Sequence, residues 1–153
     1  MYSTIVVGTD GTDSASKAVV QAADIAAGNP DSVLHIVSVQ KPMAASAIAS
    51  AEMAVAAPVG AELEWEEEAR TSLEQLLSDA AARADRDALT VETHARFGAP
   101  AEVLCDMAAH LNADLIVVGN RGMQGGRRFL GSVPNTVSHH APCSVLIVDT
   151  QSD

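Results

Sequence analysis

Aromatic side chains are nearly absent from this sequence: one Trp, one Tyr and two Phe in 153 residues. A core built without them relies on Val, Ile and Leu, and abundant alanine suits helices packed closely together. Positive charge is scarce too. Nine Lys and Arg stand against 20 Asp and Glu, a formal net charge of -11. That balance excludes a broad electrostatic surface for nucleic acid or anionic lipid, because such binding needs phosphates neutralised by many clustered cations. No apolar run approaches the roughly 18 residues of a membrane-spanning helix. The start, MYSTIVVG, has neither the basic residues nor the long apolar stretch of a secretory signal, so the expected setting is cytoplasmic. Cys105 and Cys143 form no CxxC pair and are too few for a disulfide framework. Both are expected to act as small buried apolar residues.

What the sequence does contain is alternation. Short apolar runs, TIVVGT (4–9), VLHIVSV (33–39), TVETHA (90–95), LIVVG (115–119) and SVLIV (144–148), are separated by helical patterns. Ala15, Ala18, Val19, Ala22 and Ile25 keep helical spacing, as do Trp65, Ala69, Leu73, Leu76, Ala80 and Ala84. Leu104, Ala108 and Leu111 mark a third helix begun by Pro100, a residue suited to a first turn. The first helix should stop at Gly28, before Asn29 and Pro30, and a short fourth should run from about Val133 to before Pro142. Five strands and four helices in alternation require right-handed crossovers, hence a doubly wound α/β fold with helices on both faces of a parallel sheet. At this length one domain spanning 1–153 is expected, burying about two-thirds of the unfolded chain's surface.

Strand composition sets an expected order. IVV and LIVV are continuous enough to be buried on both faces, whereas TVETHA alternates Val91, Thr93 and Ala95 with Glu92 and His94, as an edge strand does. The resulting order is 3-2-1-4-5. The winding direction then reverses between strands one and four, opening a crevice above their carboxyl ends. Thr9-Asp10-Gly11-Thr12 and the glycine-rich stretch after strand four both lead into it. Strand five becomes an uncovered apolar edge without charge or proline, which predicts a homodimer paired through Ser144 to Val148; the alternative is that the tail TQSD caps it. The Ala-rich connection 42–60 is longer than usual and is expected to be a surface excursion rather than a lid.

The stretch Gly119 to Gly131, GNRGMQGGRRFLG, holds five of ten glycines and three of nine Lys/Arg residues. Glycines between a strand and a helix let backbone amides approach an anion. Gly131-Ser132 then opens a helix, whose free amides and dipole favour phosphate, and the Ser132 hydroxyl adds a donor. Desolvated charge-assisted hydrogen bonds contribute about 1.5 to 3 kcal/mol each, so three or four suffice for micromolar affinity near 8 kcal/mol. Exposed arginines give far less, which makes Arg121, Arg127 and Arg128 auxiliary. GRRFLGS lacks the lysine of GxxxxGK[ST] and follows the fourth strand, which argues against a P-loop ATPase. GNRGMQGG also fails the dinucleotide pattern.

These residues, VVGNRGMQGGRRFLGSVPNTVSHHAPCSVLIV together with IVVGTDGTDSASKAV, resemble the universal stress protein family from Thr4 to Val148. The family's nucleotide signature is G-x2-G-x9-G-[S/T]. Gly119, Gly122 and Gly131-Ser132 match it, but eight residues separate Gly122 from Gly131, one fewer than the pattern. The resemblance to the ATP-binding branch implies that Gly119, Gly122, Gly131, Ser132 and Val133 hold the phosphates, beside which Arg121 is an auxiliary cation on the charge argument. It also implies that Asp10 lies near the nucleoside, that Val39 packs on adenine with Thr9 and Gly11 completing that wall, and that the chain forms a homodimer through its last strand.

Three functions follow as expectations. The first is an ATP-binding stress-response protein acting as sensor or carrier. The second is a slow ATP hydrolase or phosphotransferase, which needs a water-positioning group and normally Mg2+; Asp10 is the one obvious residue to meet the metal. The third is an interaction module binding AMP or cyclic AMP, kept open by the shortened loop. His139 and His140 are expected to cap the fourth helix's carboxyl end, and His35 and His94 only to pack or meet solvent. The acidic run Glu62, Glu64 and Glu66 to Glu68 offsets a helix dipole.

Overall fold

A sheet of five parallel strands forms the centre of the chain, in the order β3-β2-β1-β4-β5. The structure, a computed structural model, describes residues 1–41, 61–120 and 132–150, with the side chains of 61–66 left out. The 42–60 connection, residues 121–131 and the Trp65 side chain therefore lie outside the described residues. Among those described, β1 (Thr4–Gly8), α1 (Asp13–Ala27), β2 (Val33–Gln40), α2 (Ala61–Ala84) and β3 (Thr90–Phe97) make up the first half. The second half is α3 (Pro100–His110), β4 (Leu115–Gly119), α4 (Ser132–His140) and β5 (Ser144–Val148).

The continuous apolar runs take the middle, as burial on both faces demands. Ile5, Val6, Val7, Ile116 and Val117 are all fully buried, with Val6 registered between His35 of β2 and Ile116 of β4. Each face has its own core. Ile5, Val7, Leu34 and Ile36 pack against Ala18, Val19 and Ala22 of α1 and Leu73 of α2. On the other face Val6, Val37, Ile116 and Val118 meet Leu104 and Ala108 of α3 and Val137 of α4. Small alanines in α1 let the helix approach the sheet closely.

Helix ends follow local chemistry. Thr12 caps α1 by accepting from the Ala15 amide at 3.3 Å, Gly28 is the carboxyl cap, and Pro100 fills the first turn of α3, where a missing amide hydrogen costs nothing. At the end of α4 the His140 ring nitrogen lies 3.0 Å from the Thr136 carbonyl oxygen.

Three details differ from the sequence expectation. The buried seam of α2 runs through Leu73, Leu77, Ala80 and Ala84, while Leu76 is half-buried and turned towards Gly11. Both choices satisfy helical spacing, and only the position of the sheet selects between them. In β3, Thr93 is exposed and His94 half-buried, because His94 shares a face with the buried His35 of β2. Cys105 and Cys143 are half-buried at the margin of the second core rather than enclosed by it. No helix among the described residues is long and apolar enough to cross a membrane.

Asp114 fastens the start of β1 to β4: its Oδ2 accepts from the amides of Ser3 at 2.8 Å and Thr4 at 3.0 Å. These two donors hold the carboxyl below its ordinary value of 3.8. The folded pKa being depressed, the stabilisation is complete above 3.8 and is lost as pH falls from there towards the lower folded value. Urea midpoints of the wild type and Asp114→Asn should therefore differ by a constant amount at about pH 6 and above, and converge below 3.8. In the centre of the sheet, Ile116→Ala should cost about 2 to 5 kcal/mol in the same assay, the cost of a cavity in a core that cannot collapse.

Candidate functional site

The carboxyl end of β1 runs into a turn organised by its own side chains. The Thr9 amide donates to the Val37 carbonyl at 2.9 Å, continuing the sheet by one residue. Thr9 Oγ1 accepts from the Gly11 amide at 3.2 Å. Asp10 Oδ1 accepts from both the amide and the hydroxyl of Thr12, at 3.1 and 2.6 Å. Gly11 has φ +78°, and a Cβ there would stand 2.7 Å from Leu76 Cδ1; glycine meets both the left-handed backbone and the close approach of α2.

On the α3 side of this turn lies a cavity of about 490 Å3. Val37, Val39, Leu104 and Val118 give it an apolar wall, Thr9, Asp10 and Thr12 a polar one, and Gly119, Ser132, Val133 and Pro134 close the far side. It is an opening at the topological switch point, between β1 and β4. The starts of three helices bound it: Thr12 for α1, Pro100 for α3 and Ser132 for α4. Each brings the positive end of a helix dipole, equivalent to roughly half a charge. Asp10 is the one charged residue among the described lining.

A larger groove, about 1000 Å3, lies on the opposite side of the same turn, between Gly11 and Ser16 and the face of α2. Its described lining sets Asp10, which it shares with the smaller cavity, Glu67, Glu68 and Asp79 against Arg83. That negative balance disfavours an anion, and the smaller cavity with its helix starts is the better candidate.

The beginning of the glycine-rich loop is held by a buried polar clamp. Asn120 and Thr150 are 6% and 7% exposed. Asn120 Oδ1 accepts from the amide and hydroxyl of Thr150 at 3.0 and 2.7 Å, its Nδ2 donates to Asp149 Oδ1 at 2.9 Å, and its amide donates to the Val148 carbonyl at 3.0 Å. Lys17 Nζ donates to the Thr150 carbonyl at 3.2 Å, tying α1 into the cluster. A Cβ on Gly119 would meet Thr150 Cγ2 at 3.1 Å, so glycine keeps the clamp closed.

Of the residues singled out in the sequence, Thr9, Asp10, Val39, Gly119, Ser132 and Val133 line the cavity together. Gly11 lines the groove on the α2 side instead. Arg121, Gly122 and Gly131 lie outside the described residues, as do Arg127 and Arg128. Sequence reasoning passed over Pro100, Leu104 and Val118. A signal existed for Pro100 and Leu104: in a parallel sheet every helix begins at the carboxyl edge, so the first turn of α3 had to face the crevice. Nothing in the sequence distinguished Asn120 as a buried clamp.

The sequence profile of the Universal stress protein family matches residues 1–149. The chain belongs to the universal stress protein family. Universal stress protein Rv1636 of Mycobacterium tuberculosis is 40% identical over 151 residues, which is 97% of each chain. A solved universal stress protein in complex with cAMP is 34% identical, covers 98% of both chains and has a TM-score of 0.73. A universal stress protein family member from Arabidopsis thaliana with AMP bound, 16% identical over 96% of this chain and 91% of its own, shares the fold with a TM-score of 0.65.

In this universal stress protein the clamp is open to a direct test. Asn120→Ala leaves the Thr150 amide and hydroxyl buried without their acceptor, which should cost about 1 to 3 kcal/mol and speed hydrogen exchange at the Thr150 amide. Thermal melting and exchange mass spectrometry check the two effects.

Proposed function

We propose that this universal stress protein binds an adenine nucleotide in the cavity beside Asp10, acting as a sensor or carrier in the stress response. The observation that carries the reading is the meeting of the Thr9-Asp10 turn, Val39, Gly119 and the start of α4 in one cavity. Its volume falls within the roughly 300 to 1000 Å3 of small-molecule sites. In this reading Val39 and the apolar wall take the base, Thr9 and Asp10 sit near the nucleoside, and phosphate lies against the amides and hydroxyl at Ser132 and Val133. Arg121, Gly122 and Gly131 complete the phosphate cradle, while Gly11 supports the turn from the α2 side. The proposal takes residues 1–153 as one nucleotide-binding domain that pairs through β5 into a homodimer.

ATP, with Mg2+ accompanying it, is the ligand of the first reading. Cyclic AMP is the second, and two observations favour it. A solved relative of 34% identity is a complex with cAMP, and the loop between Gly122 and Gly131 is one residue short of the family signature, which reduces the room for a triphosphate. Slow hydrolysis would require a water-positioning group near the terminal phosphate, whereas Asp10, the one charged residue of the described lining, sits near the nucleoside in this reading and is the residue to meet the metal.

Isothermal titration of nucleotide-free protein with ATP, AMP and cyclic AMP separates these readings. Micromolar affinity for at least one is expected, and none below millimolar for any would overturn the proposal. Ser132 is exposed, so Ser132→Asp should weaken binding by about tenfold or more through charge repulsion while leaving the melting temperature level or higher, since a carboxylate suits a helix start.

A further inference from the structure

We propose that His35, Glu92 and His94 form a binding site for a divalent transition-metal ion, Zn2+ by donor chemistry, stapling β2 to the edge strand β3. The site is separate from the nucleotide cavity, and none of the three residues lines it.

Parallel register brings the three together. His35 stands beside Glu92, and the next position on the same face pairs Val37 with His94. His35 Nδ1 is 3.0 Å from His94 Nε2 and 3.4 Å from Glu92 Oε2, and His94 Nε2 is 3.9 Å from the same oxygen. A triangle with those sides has its centre about 2.0 Å from each corner, the distance at which Zn2+ takes imidazole nitrogen and carboxylate oxygen. Two imidazoles and a carboxylate are a known zinc donor set when water fills the fourth position.

Access and protonation agree with that geometry. His35 is buried and the His94 side chain is 16% exposed, while the Glu92 side chain is 54% exposed, which leaves an approach for the ion and its water on the Glu92 side. Burial pushes both imidazoles below their ordinary pKa, so each ring is neutral at pH 7, the form that ligates metal. A bare pair of imidazoles at this distance shares one proton in a hydrogen bond. That arrangement, with Glu92 as the ion-pair partner of the rings, accounts for the same contacts without an ion, and metal titration separates the two.

The test is titration of the EDTA-treated full chain with ZnCl2, followed by calorimetry and thermal melting. One ion per chain at micromolar affinity is expected, with a rise in melting temperature of roughly 5 °C at a hundredfold excess over Kd. His94→Gln should weaken binding by at least about a hundredfold, the upper end of what even an outer partner costs. Glu92→Gln, at an exposed position that tolerates change, should weaken it by about tenfold or more and keeps the test valid if His94→Gln does not fold. The double variant His139→Ala, His140→Ala should bind as the wild type does. Absence of binding below millimolar Zn2+ overturns the site. So does affinity unchanged by Glu92→Gln, or affinity lost in the His139/His140 double variant, since the ion then sits elsewhere.

Discussion

Parallel strands joined by helical crossovers must all present their carboxyl ends, and the amino ends of the following helices, at one edge of the sheet. Everything else in this molecule depends on that constraint. It explains why a turn near residue 10, a strand end near 39, a proline at 100 and a helix start at 132 come together although the sequence scatters them. It also sets the positive ends of three helix dipoles around a cavity whose described lining carries one formal charge, that of Asp10. The net charge of -11 does not set the local field at this edge, because formal charge is carried by side chains and the dipoles by backbone direction.

The side chains around this edge do a different job. They hold backbone in place. Asp10 fixes the turn through Thr12, Asn120 fastens the end of β4 to the chain after β5, and Lys17 joins α1 to the same cluster. The Asn120–Thr150 bonds use polar atoms whose burial would otherwise be costly. The apolar wall of Val37, Val39, Leu104 and Val118 is the second core continued outward to the point where the sheet ends. Core and site are one packing arrangement seen at two depths.

The far side of the sheet shows how an edge strand is used. β3 is amphipathic, and its charged and histidine positions fall beside His35 of β2 through register alone. A buried histidine on a central-facing strand needs a partner, and the edge strand supplies two. That pairing takes His94 off the solvent-facing role its alternation implied.

Read as residues in order, the chain already specified the class of fold, the strand order and most element ends, because these depend on local period and on short-range chemistry such as capping and first-turn proline. LIVVG and SVLIV match their strands residue for residue, and Gly119, Ser132 and Asp10, singled out in the sequence, line one cavity. Tertiary structure alone decided what depends on the distance between elements. It selected Leu77 over Leu76 as the seam of α2, turned Gly11 towards that helix, buried Asn120 against Thr150, and brought His35, Glu92 and His94 within ligand distance of one another. Periodicity names the face a residue occupies, but only packing determines which residues from other strands and helices stand opposite it.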